Sequence, residues 1–360
     1  MKPRLILTAL VPIALFLAVC PAALAVTTWY VNGANGSDSN NCLSASTACQ
    51  TIGHAISLAV LGDSIRIAPA VYTENLTINS NLRLTGSSAA TTIIDGGGSR
   101  VVSILSTSAH VSLSNLTIRN GIASGGGGIL NWGNLTLSNS AITGNTALSD
   151  TSAVGGGIDS SGTLTVNNST FSGNTASAGN VYGGAIYSSG PLTINNSTIS
   201  GNSITGRFGG GGGGIYVAKG ARISSSTIAG NSGNSGGGIY NGGGKVTIQN
   251  SIVSASASGG NCFGTMTSNG YNMSSDGTCN FSNTGDLNNT DPILGLLSSN
   301  GGGTQTMALL SGSPAIDSGN PAGCTNNRGV LLKTDQRGMP RPDTEDTGGC
   351  DRGAYERQGD

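Results

Sequence analysis

The chain is poor in charge: 33 of its 360 residues are charged, 16 basic against 17 acidic, and only four are lysines. A net charge of −1 leaves no basic footprint for the phosphates of a nucleic acid, and no run of like charge forms a tail. It is poor in aromatics too, with 15 Phe, Trp and Tyr together. So few large side chains exclude a wide globular core and suit a narrow one built from small aliphatic residues. Long apolar runs are scarce. Leu5 to Val19 is the longest, shorter than a bilayer span requires, so the mature chain is expected to carry no transmembrane segment.

What is abundant is glycine, 60 residues, with Ser, Thr and Asn. That mixture alone can mean disorder, but Val, Ile and Leu recur too regularly for that reading. The N-terminus has the layout of an export signal. Lys2 and Arg4 precede the apolar run, and Ala23-Leu24-Ala25 offers a small-x-small cleavage site ahead of Val26. A rival reading takes Leu17-Ala18-Val19-Cys20 as a lipoprotein processing site, with the bulky Val19 where a small residue is wanted. Cleavage before Val26 leaves six cysteines: Cys42, Cys49, Cys262, Cys279, Cys324 and Cys350. An even count in an exported chain points to disulfides and an extracellular or cell-surface location. Fifteen pairings are open in principle. The six fall into three local pairs, which favours neighbours joining, and no CxxC pair suggests zinc.

The internal repeat decides the architecture. GILNWGNLTLSNSAITGN from Gly128 realigns without a gap as GIDSSGTLTVNNSTFSGN from Gly157, AIYSSGPLTINNSTISGN from Ala185 and GIYVAKGARISSSTIAGN from Gly214. Their first isoleucines, Ile129, Ile158, Ile186 and Ile215, recur every 28 or 29 residues. A decayed copy follows from Ile239, and VSLSNLTIRNG from Val111 is an earlier partial one. Apolar residues alternate inside each unit, as in Leu164-Thr165-Val166, which marks a strand with one buried face. Three such short strands per unit cannot bury their faces alone, but stacked coils bury one continuous column. Crossovers between parallel strands wind right-handed. The predicted fold is therefore all-β, a right-handed parallel β-helix with an N-terminal cap helix and a C-terminal capping region. The predicted organisation is a signal peptide over 1–25, a cap over 26–62, the β-helix over 63–290 and a C-terminal cap over 291–360.

The aligned asparagines Asn145, Asn174, Asn202 and Asn231 fall one coil apart, ~4.8 Å, and are expected to bond into an internal ladder. In the N-terminal cap, Ile52, Ala55, Ile56, Ala59 and Val60 share one helical face, with Gly62-Asp63 as the stop.

Gly183-Gly184-Ala185-Ile186 and Phe171-Ser172-Gly173-Asn174 resemble the repeats of polymorphic outer membrane proteins and of the wider pectate-lyase-like β-helix group. The segments Asp291 to Gly295, Gly312 to Gly319, Thr334 to Pro342 and Cys350 to Glu356 resemble the choice-of-anchor Q region. That second resemblance implies a bacterial surface or secreted protein, and the first implies the architecture far more than an activity.

Enzymes of this architecture need paired carboxylates, or a base with a cation or metal. Between Asn120 and Ser256 the only charged residues are Asp150, Asp159, Arg207, Lys219, Arg222 and Lys245, with no Glu or His. No catalytic residue, metal site or cofactor is assigned. Lys219 and Arg222 could face a sugar acid but read rather as solvated outward positions, and the charges between Cys324 and Asp360, 13 of the 33, as a salt-bridged cap. One column merits a ligand. The residue after each first isoleucine points outward, and three consecutive coils carry Tyr187, Tyr216 and Tyr240 there. They form either a stripe for a carbohydrate or peptide, or a structural stack along the sheet. The sequence thus points to a binding, adhesive or structural module whose partner is a surface carbohydrate or a host or neighbour-cell protein. A polysaccharide lyase or glycoside hydrolase is the alternative.

Overall fold

The computed structural model describes residues 26–343 and 349–359. The expected export signal, including Cys20, lies outside the described residues. Three parallel sheets of ten, nine and eight strands wind around one core, and the protein is a parallel β-helix. One coil shows the plan: Ile129–Asn131 joins the third sheet, Asn134–Ser138 the first, and Ala141–Thr143 the second. The next coil repeats it with Ile158–Ser160, Thr163–Asn167 and Thr170–Ser172.

Alternation sets which side chains enter the core. Leu135, Leu164, Leu192, Ala221 and Val246 pair rung by rung and are buried, as do Leu137, Val166, Ile194, Ile223 and Ile248. The four first isoleucines are fully buried and in register. Corners between the first and second sheets take left-handed backbone at Asn139 (49°), Asn168 (49°) and Asn196 (51°), a conformation asparagine tolerates well. Ser225 holds the same corner one coil on, at 46°.

The asparagine ladder is continuous. Asn145 Nδ2 donates to Asn174 Oδ1 (3.0 Å), Asn174 Nδ2 to Asn202 Oδ1 (2.9 Å), and Asn202 Nδ2 to Asn231 Oδ1 (2.9 Å). Each oxygen also accepts the backbone N–H of the asparagine below it, so the buried corner satisfies its own polar groups.

The segments between the ladder and the next isoleucine look like variable loops in the sequence. Several are strands instead. Thr175–Tyr182 and Ser203–Gly211 belong to a five-stranded parallel side sheet, with its own small core of Ala147, Ala153, Ala176, Ala178, Val181 and Ile204. Small side chains let these rungs stack flat.

The expected cap helix is present as Ile52–Leu58, buried through Ile52 and Ala55. It is shorter than its apolar pattern: it ends at Leu58, and Val60 is exposed. Thr51 caps it by accepting from His54 N, and the Glu74 carboxylate accepts the N–H groups of Ile52 (2.9 Å) and Gly53 (2.8 Å).

All three disulfides join neighbours: Cys42–Cys49, Cys262–Cys279 and Cys324–Cys350. The second bond and Phe281 close the apolar column at its far end. Residues beyond 291 take a different route, running back along the flank of the second sheet. Gln336 accepts from Thr198 and donates to Thr170 and Thr304, while Ala354 N donates to Thr227 Oγ1 (3.0 Å). Two ion pairs form there among the described residues, Arg341 with Glu356 at 2.6 Å and Arg337 with Asp335 at 2.7 Å.

Candidate functional site

Tyr187, Tyr216 and Tyr240 stand in register on the outer face of the third sheet, each half-buried. Tyr187 and Tyr216 stack at 5.2 Å between centroids and 15° between planes, Tyr216 and Tyr240 at 5.0 Å and 14°. The stack continues into Phe263 at 4.6 Å, a fourth ring that sequence reasoning missed. Its signal was weak because Cys262 replaces the isoleucine that marks the other coils. Tyr182 of the side sheet leans on Tyr216 at 4.8 Å and 58°. Glycine makes room for the column: a Cβ on Gly211 would stand 2.0 Å from Tyr240 Cδ2. Burial raises the hydroxyl pKa of Tyr187 and Tyr216.

Asp159 occupies the same column one coil before Tyr187. Burial pushes its carboxyl up to about 6, against the opposing pull of Arg100. The Arg100 guanidinium spends its hydrogen bonds on the carbonyls of Gly125 and Gly126, at 2.9 to 3.3 Å. Asp150, the other aspartate of the repeats, is exposed at a side-sheet turn.

A different surface gathers the cations. The outer face of the first sheet carries a ladder of hydroxyls in register, Ser112, Thr136, Thr165 and Thr193, leading to Arg222, Thr247 and Thr267. Two adjoining cavities of about 490 and 450 Å³ lie over its later coils and share Thr193, Arg222 and Asn327. Lys219, Arg222 and Lys245 line the first, and Arg222 and Arg328 the second. Two further cavities, of about 300 and 460 Å³, continue along the same face through Thr136, His110, Arg83 and Arg66. The four share residues end to end, so they form one trough. None of the described residues lining it is acidic. Among the described residues, the side chains of Lys219, Arg222, Lys245 and Arg328 make no hydrogen bond or ion pair.

The sequence shows Lys219 and Arg222 as outward, but it does not bring Arg328 to them. That residue is more than a hundred positions away and arrives only because the C-terminal segment folds back. Cys42, Cys49 and His54 also cluster, with ligand atoms within 4.8 Å, but both sulfurs are bonded to each other, which leaves one imidazole and no metal site. Among the described residues no helix is long and apolar enough to cross a membrane.

No family model matches the chain, and neither does any curated protein. Solved structures of similar architecture include the pectate lyase Pel9A, at 17% identity and a TM-score of 0.44, covering 92% of this chain and 96% of that one. Pectin methylesterase PemA from Erwinia chrysanthemi is similar at 16% identity and a TM-score of 0.32, covering 67% of this chain and 81% of its own. A mutant pectin methylesterase in complex with a hexasaccharide gives 18% identity and a TM-score of 0.30 over the same shares. These likenesses concern the β-helix fold alone.

Proposed function

We propose that this protein is an exported binding module that holds an anionic polysaccharide in the trough on its first sheet. One observation carries the reading: Lys219, Arg222, Lys245 and Arg328 surround adjoining cavities whose described lining holds no acidic residue to neutralise them. Cations without partners attract an anion, and rows of Thr, Asn and Gln beside them suit the hydroxyls of a sugar chain. A trough along the solenoid suits a linear polymer better than a compact ligand. Three disulfides fit an extracellular setting.

The described residues of the trough offer no pair of carboxylates for hydrolysis, and this reading assigns its cations, with His110, to holding a chain. The aromatic column receives a packing role in this reading. Each inner ring spends both faces on its neighbours, which leaves edges, not faces, for a sugar ring to meet. The test is retention of the purified protein on immobilised heparin and polygalacturonate, with neutral dextran as control. Retention on an anionic matrix that weakens with salt supports the proposal, and equal behaviour on all three matrices rejects it.

A further inference from the structure

Arg328 reaches the trough on a hairpin, and the hairpin is fastened at every point where it could swing. Thr325 and Leu331 bridge antiparallel, and Leu332 N donates to Cys324 O (2.8 Å) at the root, beside the Cys324–Cys350 bond. At the tip the Asn326 Oδ1 accepts the N–H groups of Arg328 (2.9 Å) and Val330 (3.1 Å). The hairpin is then tied to the coils. Asn327 Nδ2 donates to Ile194 O (3.0 Å), Asn195 Oδ1 (2.8 Å) and Arg222 O (3.1 Å), and Gln249 Nε2 donates to Thr325 O (2.9 Å). Asn327 therefore shares its two amide hydrogens among acceptors on two successive strands of the first sheet. Its neighbour Arg328 is left exposed over the cavity with its guanidinium unpaired among the described residues.

Resting on the polyanion reading above, we infer that Arg328 is a binding residue of the trough and Asn327 the positioning residue that holds it there. The site is then assembled from two distant parts of the chain. The coils supply a floor with Arg222, and the C-terminal hairpin supplies a wall that a bare β-helix lacks. The hairpin's attachment to Asn195 and Arg222 sets where along the hydroxyl ladder the wall cation stands. This gives the C-terminal segment a share in ligand choice in addition to its packing on the second sheet.

The experiment measures the affinity of the full mature chain for heparin, with Arg328→Ala, Arg328→Lys, Asn327→Ala and the Asn327→Ala/Arg328→Ala double variant. Both residues lie on the surface, and far-UV circular dichroism checks that each variant is folded. Arg328→Ala is expected to weaken binding about three- to fivefold, as loss of one exposed ion pair does. Arg328→Lys should restore most of it. Asn327→Ala, which removes no charge, should weaken binding as much as Arg328→Ala, and the double variant should be no weaker than either. Wild-type affinity in Asn327→Ala, or an effect of Asn327→Ala that persists in full without Arg328, overturns the positioning claim while leaving the polyanion reading intact. Failure of the wild-type protein to bind heparin or polygalacturonate rejects that reading, and this inference with it.

Discussion

Asn174 donates its side-chain amide to the Oδ1 of Asn202 at 2.9 Å, one coil on, and both residues are fully excluded from solvent. The ladder they belong to replaces water at a corner where backbone groups would otherwise be orphaned. Asn174→Ala removes the donor to Asn202, the donor to Ile142 O and the acceptor for Asn145 N. The expected cost is about 1 to 3 kcal/mol, measured by denaturant unfolding. Asn180→Ala, on the exposed side of the side sheet, should cost less than about 0.5 kcal/mol. Equal losses at the two sites would show that the ladder does not carry stability.

The aromatic column makes a second test. Tyr216 packs between Tyr187 and Tyr240, so Tyr216→Ala breaks two stacked pairs at about 0.5 to 1.5 kcal/mol each. Tyr216→Phe should keep nearly all of that stability. Heparin affinity should be unchanged in both variants once folded. A folded Tyr216→Phe protein that no longer binds would move the ligand from the first sheet to the third.

Acidity should strengthen the fold through two buried carboxyls. Burial, with the nearby Glu356 charge, pushes Asp351 up to about 7, and burial pushes Asp159 up to about 6. Both values lie above the unfolded value near 3.8, so each folded group holds its proton more tightly than the unfolded chain does. Their contribution is fully present below about pH 4 and is lost as the pH rises through about 6 and 7. Asp63 and Asp95 act oppositely: hydrogen bonds from Val60, Trp29 and Thr27, and from Arg119 and its neighbours, lower their values despite burial. The melting temperature should fall between pH 5 and pH 8, and Asp351→Asn should flatten that fall. A wild-type profile that is flat or rising there would contradict these assignments.

How much of this the sequence reveals depends on whether the signal is periodic. Ile129, Ile158, Ile186 and Ile215 are visible as a column because a strand buries every second residue and every coil has nearly the same length. The same periodicity exposes the asparagine ladder and the tyrosine register. It fails at Thr175–Tyr182 and Ser203–Gly211, where alanine and glycine look like loop composition yet pair as strands because the coils beneath hold them in line. It fails at Phe263, where Cys262 interrupts the pattern. The trough was legible only in part: Arg222 is outward by alternation and Lys219 is exposed at the bend before that strand, but the visit of Arg328 depends on hydrogen bonds from Asn327 and Gln249 across 76 to 133 positions. No local pattern encodes a contact of that length.

Lys219, Arg222 and Lys245, without a partner among the described residues, are proposed to hold a polyanion. Heparin affinity of the Lys219→Ala/Arg222→Ala/Lys245→Ala variant, set against wild type over a range of salt concentration, tests it most directly. All three residues are exposed, so the fold should survive the exchange. The predicted result is wild-type binding that weakens as salt rises, and a variant about tenfold or more weaker with a shallower salt dependence. A folded variant that binds with wild-type affinity and the same salt dependence would contradict the claim.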